Sequence, residues 1–124
     1  MTLARRRRAW HRGRRAEWLA ACWLRFKGYR IIARGFRVGV GEIDLVARRG
    51  RVLALVEVKA RARLAEAGES VSRRQRERIS RAAKAFLQRH PHLGKLDPRF
   101  DVVLIAPGHW PRHIADAWRE ETRS

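Results

Sequence analysis

The order of apolar and polar segments along the chain predicts a helix, three strands, a second helix, a fourth strand and a short terminal element. In residues 13–27 apolar side chains recur at helical spacing, at Ala16, Leu19, Ala20, Trp23 and Phe26. Ser70 or Ser72 is placed to cap the second helix, which extends to about His90. Runs rich in Val, Ile and Leu predict the strands, at residues 29–37, 41–48, 51–61 and 99–107.

The connections between these segments limit the fold. Short loops between the first three strands favour an antiparallel meander, and the fourth strand, which follows a helix, is expected to pair parallel to one of them. The expected fold class is therefore α/β, with a central mixed β-sheet flanked by helices. Residues 1–12 predict a flexible basic arm ahead of a single domain at residues 13–124, because a chain of 124 residues suits one core.

Four charged side chains interrupt the otherwise apolar pair of strands at residues 41–61: Glu42, Asp44, Glu57 and Lys59. If Arg49 and Gly50 form a two-residue hairpin loop, Asp44 lies opposite Leu55. Opposed residues share a face, as do residues two apart on one strand, so all four charged side chains then project from the same side. A three-residue loop without a bulge would put Asp44 and Glu57 on opposite faces, so the cluster depends on this parity.

Carboxylates this close repel each other, so positive charge is expected between them. Lys59 supplies one charge, and a divalent cation would supply two more; Asp and Glu oxygens suit Mg²⁺ or Mn²⁺. A hard cation beside a lysine is a workable site for phosphodiester hydrolysis, because the metal polarises the phosphoryl oxygen and the lysine stabilises developing charge. The alternative is a salt-bridge cluster between Lys59 and its acids at the strand ends, facing solvent.

The same segments resemble a known family. An acid near a strand start, followed by Glu-x-Lys on the next strand, resembles the PD-(D/E)XK nuclease superfamily, with Ile43 in place of the proline. More closely, GEIDLV at residues 41–46, VEVKAR at 56–61 and RFDVV at 99–103 are similar to the YraN family of small bacterial proteins. The resemblance implies a restriction-endonuclease-like core and a Mg²⁺- or Mn²⁺-dependent endonuclease acting on DNA. It implies Asp44 and Glu57 as metal ligands and Lys59 as the catalytic lysine.

Two further polar side chains are expected beside this cluster. Glu17 precedes Ala20, Ala21 and Leu24 on one helical face. The family resemblance implies that it is a third acidic ligand, and the alternative is a carboxylate bonded to a nearby arginine. Gln75 falls on the apolar stripe of the second helix, so we expect it to point at the sheet and to hydrogen-bond a site water or phosphate. YraN-like sequences often carry lysine at this point, so Gln75 departs from the family pattern.

The charge of the chain indicates a polyanionic partner. Thirty Lys and Arg stand against 12 Asp and Glu, and the formal net charge of +18 is more than solubility requires. Nucleic acid is the first expectation, DNA ahead of RNA, and an anionic membrane surface is the second. The side chains expected to contact phosphate are Arg61, Arg73, Arg74, Arg78 and, in the arm, Arg5, Arg6, Arg7 and Arg8.

The lengths of the apolar runs and the cysteine content indicate the cellular compartment. No apolar run approaches the roughly 18 residues of a spanning helix, so no membrane span is expected. The single cysteine, Cys22, fits a reduced bacterial cytoplasm.

Three functions stay open at this point: a metal-dependent nuclease acting on branched or damaged DNA, a non-catalytic basic nucleic-acid-binding module, and an assembly-associated protein such as one at the ribosome. The set of two acids and a lysine favours the nuclease, because a binding module gains nothing from carboxylates near phosphate.

Overall fold

The computed structural model describes the backbone of residues 3–39, 41–62 and 71–119, and their side chains from residue 13 onward. Its elements are helix α1 (Leu3–Phe26), strands β1 (Arg30–Val38), β2 (Gly41–Arg49) and β3 (Val52–Ala60), helix α2 (Arg73–Arg89), and strands β4 (Asp97–Ile105) and β5 (Arg112–Trp118). The five strands form one sheet in chain order, antiparallel except for the parallel pair β3 and β4. The predicted α/β fold with a central mixed sheet is confirmed, and it is consistent with a restriction-endonuclease-like core.

The two helices cover opposite faces of the sheet. Small side chains let α1 approach closely: Ala20, Ala21 and Leu24 pack on a cluster that includes Leu45, Ala54, Val56 and Val103. On the other face α2 buries Ile79, Ala82 and Phe86 against a cluster that includes Val46, Leu53, Leu55 and Val102. Among the described residues, no helix is both long enough and apolar enough to cross a membrane.

Helix α1 differs from its prediction at its start. It begins at Leu3 rather than near Gly13, so residues 3–12 are helical backbone where the sequence predicted a flexible arm. Arg, Ala and Leu are good helix formers, and the cost of about 1 kcal/mol for one internal glycine does not stop the helix. The side chains of Arg5 to Arg8 lie outside the described residues.

The buried face of α1 also differs from its prediction. Ala16 and Ala20 are buried as expected, but the face continues through Ala21 and Leu24 rather than through Trp23 and Phe26. Phe26 is 83% exposed, and Trp23 is only partly buried. The smaller side chains occupy the buried face because they let the helix lie close to the sheet. The larger rings of Trp23 and Phe26 lie at the margin of the helix–sheet contact.

The hairpin between β2 and β3 is shifted from its prediction. Arg49 pairs with Val52, so the loop is Gly50 and Arg51 rather than Arg49 and Gly50. Gly50 has φ of 60°, and a left-handed glycine at the first loop position is what a type II′ turn requires. The pairing moves by two residues, so the parity of the paired residues is kept, and Asp44 and Glu57 are the next positions beyond the last pair, Leu45 and Val56.

The start of β2 lies directly against the backbone of α2. Ser72 caps α2 by accepting a hydrogen bond from the amide of Gln75 at 3.2 Å, which confirms one of the two predicted caps. One turn further along, the carbonyl of Arg78 approaches Gly41 so closely that any Cβ at this position would overlap it. A glycine is therefore required here for a steric reason.

We expect Gly41→Ala to lower the free energy of unfolding by about 2 kcal/mol, because the new methyl group forces β2 and α2 apart. Gly39→Ala is the matched control, since a Cβ there meets no atom within 4 Å. Chemical denaturation of both variants is the measurement. Equal stability of the two would show that the helix and strand adjust freely at this contact.

Candidate active site

Strands β2 and β3 separate at the end of the sheet that lies away from their turn. Their pairing runs from Arg49 and Val52 to Leu45 and Val56. Beyond that point β2 stays paired with β1 as far as Gly41, while β3 stays paired with β4 as far as Ala60. We call the space between residues 41–44 and residues 57–60 the fork.

Asp44 reaches across the fork. Its Oδ2 atom accepts a hydrogen bond of 2.8 Å from the backbone amide of Val58. Ile43 and Val46, three residues apart, both pack in the cluster under α2, so the strict alternation of β2 is broken at Asp44. This break carries the Asp44 side chain toward β3.

Asp44 and Glu57 meet in the fork, as the hairpin parity predicted. Their side chains are hydrogen-bonded to each other. Burial, then the charge of Asp44 and this hydrogen bond, raise the pKa of Glu57 to about 8. The pKa of Asp44 is also raised, again mainly by burial, although the Val58 amide opposes the shift. Two desolvated carboxyls with raised pKa values share a proton at neutral pH, because like charges this close do not both ionise.

Lys59 lies beside this pair and is only 5% exposed. Its positive charge lowers the pKa of Glu57, against the larger effects of burial and Asp44. A buried ammonium is costly unless acids compensate it, and the pair of Asp44 and Glu57 still carries one negative charge when it shares a proton.

Glu17 approaches the fork from α1. Burial raises its pKa, and the next largest cause is the charge of Asp44. Arg34 and Arg37 of β1 act in the opposite direction, so Glu17 is close both to the acids of the fork and to arginines. The predicted third acid and its arginine-bonded alternative therefore each have a counterpart in the structure. The sequence reasoning did not single out Arg34 or Arg37, although the repeated arginines along β1 were the available signal.

Glu42 has a different environment from Asp44. It forms an ion pair of 3.0 Å with Arg37 across β1 and β2, and both side chains are largely exposed. Exposed pairs of this kind contribute roughly 0–1 kcal/mol. Glu42 therefore lies at the edge of the fork and not within the hydrogen-bonded pair.

The donor set of the fork fits a hard cation only in part. Within the described ranges, no three His, Cys, Asp or Glu side chains are already arranged to hold a metal ion. The two carboxyls of Asp44 and Glu57 match the way Mg²⁺ is usually bound, by one or two carboxylates with water in its other positions. Glu17 is near enough to sense the charge of Asp44 and is the available third acid.

The remaining predicted residues differ in how far the structure relates them to the fork. Arg61 follows β3 directly, and its backbone amide donates to Ile105 at 2.9 Å, which fixes it at the fork end of the sheet. Arg73, Arg74 and Arg78 are exposed on α2, as expected for side chains that contact phosphate. Gln75 is exposed as well, whereas the helical stripe predicted that it points at the sheet. It lies in the first turn of α2, before the helix reaches its buried face at Ile79.

A second buried acid lies apart from the fork. Asp101 is fully buried and accepts hydrogen bonds from Arg99, His113 and the backbone amide of Asp116. Burial alone would raise its pKa, but the bonds from Arg99 and His113 outweigh burial and hold the pKa below its usual value. This carboxylate joins β4 to β5.

Known proteins resemble the chain over nearly its whole length. A family model described as "Uncharacterised protein family UPF0102" matches residues 16–105. A UPF0102 protein of Parvibaculum lavamentivorans is 58% identical over 111 residues, which cover 90% of this chain and 84% of that protein. A UPF0102 protein of Paramagnetospirillum magneticum is 57% identical over 115 residues (90% and 89%), and one of Maricaulis maris is 53% identical over 118 residues (95% and 92%).

The raised pKa values in the fork predict a pH dependence of stability. Folded Glu57 holds its proton up to about pH 8, whereas an unfolded glutamate loses it near 4.5. Between these values the folded state binds more protons, so stability without metal is greatest at the acidic end and falls as the pH rises. Asp44 and Glu17 shift in the same direction. Asp101 acts in the opposite direction, but only at more acidic pH.

We expect thermal melts in EDTA to show a Tm several degrees lower at pH 8 than at pH 5.5, and Glu57→Gln to remove most of this difference. Glu77→Gln is the control, because Glu77 lies on α2 in an exposed pair with Arg73. A wild-type Tm that rises over this range would contradict the shared proton.

Proposed function

We propose, from the premise that the chain belongs to the uncharacterised protein family UPF0102 (YraN) of the restriction-endonuclease-like superfamily, that it is a metal-dependent nuclease hydrolysing phosphodiester bonds in DNA. The observation that carries the proposal is the desolvated, hydrogen-bonded pair of Asp44 and Glu57 with Lys59 beside it. A purely structural cluster would be expected to satisfy its charges fully, as Asp101 does.

The residues of the fork divide into a metal-holding part and a phosphate-facing part. Asp44 and Glu57 would hold Mg²⁺ or Mn²⁺, with Glu17 as the third acid. When bound, such a cation supplies Lewis-acid polarisation of the phosphodiester and a more acidic water. The backbone amide of Val58 orients Asp44 through its 2.8 Å hydrogen bond, so the carboxylate is already positioned.

Lys59 provides positive charge where negative charge develops. Its burial beside Glu57 keeps the ammonium in a region from which water is largely excluded, where its electrostatic effect is stronger than in bulk water. Arg61, which follows β3 at the fork end, would contact a neighbouring phosphate. The exposed arginines of α2 add sequence-independent attraction to the DNA backbone.

A non-catalytic nucleic-acid-binding module is the second candidate, and the net charge of +18 is the observation that favours it. Both candidates act on nucleic acid, DNA in preference to RNA, and for both we expect a place in the bacterial cytoplasm. The fork discriminates between the two candidates, because a protein that only binds nucleic acid does not need the acids of the fork.

The test is an incubation of the purified protein with single-stranded, duplex, nicked and branched DNA, with EDTA, Mg²⁺ or Mn²⁺. Asp44→Asn, Glu57→Gln and Lys59→Ala should each lower metal-dependent cleavage by about a hundredfold or more. Binding in EDTA should stay the same or tighten for the two acid variants, because negative charge is lost. Lys59→Ala should not tighten it.

Glu77→Gln is again the matched control, since it removes an acid of α2 that lies outside the fork and should leave cleavage unchanged. Thermal melts of every variant separate loss of chemistry from loss of fold. Absence of metal-stimulated cleavage by the wild type on all substrates, together with lower melting temperatures of the three variants, would favour the binding module.

A further inference from the structure

Three aromatic rings form an exposed cluster that the proposed chemistry does not use. Trp23 stacks on Phe26 with ring centroids 5.9 Å apart, and the ring of Trp110 lies 5.8 Å from that of Trp23 in a tilted arrangement. Phe26 is 83% exposed and Trp110 is 81% exposed. We call Trp23, Phe26 and Trp110 the aromatic patch.

Trp110 places one edge of the aromatic patch toward the fork end of the sheet. Strand β4 runs parallel to β3, and its last residue, Ile105, pairs with Ala60 at the fork. The turn that follows carries Trp110. On α1, Trp23 lies six residues, or about 9 Å along the helix axis, beyond Glu17, and just after Phe26 the carbonyl of Lys27 accepts a hydrogen bond from Arg49 near the hairpin turn.

The charge around the aromatic patch is positive. Arg25 next to Phe26 is exposed, as is Arg112 two positions after Trp110, and Glu17 is the one acid in the sequence of α1. A second copy of this chain would bring its own charge of +18 to the same surface, so electrostatic repulsion opposes self-association there. The surface instead complements a polyanion that also has flat apolar parts.

We propose that the aromatic patch binds unpaired bases of a single-stranded nucleic-acid segment. Stacking on an aromatic ring suits every base, and arginines beside the rings contact the phosphates between the bases. The inference rests on the proposed nuclease function for its purpose, which is to hold a substrate with a single-stranded segment next to the fork. The binding itself requires neither metal nor cleavage.

The test is fluorescence anisotropy in EDTA with a labelled oligothymidylate and a blunt duplex of equal length. Trp110→Ala and Phe26→Ala should each weaken binding of the oligothymidylate by about tenfold, which is the usual effect of losing one stacked base. Duplex affinity should change by less than about twofold, because phosphate contacts dominate it. Trp110→Phe should keep single-strand affinity and Trp110→Leu should not, since leucine is apolar but has no ring.

Ile114→Ala is the matched control, because Ile114 is an exposed apolar residue outside the aromatic patch. Substitutions at these exposed positions should leave the Tm nearly unchanged. Equal losses on single strand and duplex, or wild-type affinity of Trp110→Leu, would overturn the proposal.

A parallel experiment measures binding of the same variants to vesicles of phosphatidylcholine and phosphatidylglycerol. Loss of vesicle binding by Trp110→Ala with unchanged oligothymidylate affinity would assign the aromatic patch to a membrane surface and overturn the proposal. The EDTA experiment also separates this inference from the nuclease proposal. If the wild-type protein never cleaves DNA but Trp110→Ala still weakens its single-strand binding, the nuclease proposal is wrong. The proposal that the aromatic patch binds bases then still stands.

Discussion

The fork depends on a single hydrogen bond, from the amide of Val58 to the carboxylate of Asp44. When β2 and β3 separate beyond Leu45 and Val56, β3 loses its ladder partner on that side. A buried amide without a partner costs about 1–3 kcal/mol, so the strands would be expected to stay paired unless another group accepted this bond. Asp44 accepts it, and the side chain that allows the fork to open is thereby also fixed as the first acid of the site.

The buried Asp101 and the partly buried pair of Asp44 and Glu57 show opposite ways of placing a carboxylate inside a protein. Asp101 is ionised, because Arg99, His113 and a backbone amide compensate its charge, and its pKa is lowered. Asp44 and Glu57 face each other with one backbone amide and one lysine nearby, and their pKa values are raised. The first arrangement is complete in itself and joins two strands. The second is complete only with a proton or a cation, which is why the proposed chemistry belongs there.

The fold and the core of the site followed from the sequence because both rest on periodicity. Alternation along the hairpin brings Asp44 and Glu57 together whether the loop is Arg49–Gly50 or Gly50–Arg51, since a shift of two residues preserves the faces. The break in alternation that accompanies the bond from Val58 to Asp44 was not predictable from the periodicity, and neither was the contact of Gly41 with the backbone of α2. Long-range packing decides such contacts.

Helix α1 is a second case in which long-range packing, and not periodicity, decides which side chains are buried. Trp23 and Leu24 are neighbours in the sequence and both apolar, but only one of them faces the core. Hydrophobicity favoured the large rings, whereas the close approach of helix and sheet selects the alanines and Leu24. The sequence therefore placed Glu17 correctly on the face that continues through Ala20, Ala21 and Leu24, and misplaced Phe26. Trp23 and Phe26, which the helical spacing placed on the buried face, instead belong to the aromatic patch.

The charge of the fork has to be considered against the charge of the whole molecule. A chain of net charge +18 attracts phosphate over much of its surface, so attraction alone does not bring a phosphodiester to one place. Two full carboxylates would make the fork repel it. Because burial raises the pKa of Glu57 to about 8, the pair holds a proton at neutral pH and that repulsion is reduced. A divalent cation in place of the proton would make the local charge more positive by one unit, and under the nuclease proposal the fork would then be the site where phosphate is both held and polarised.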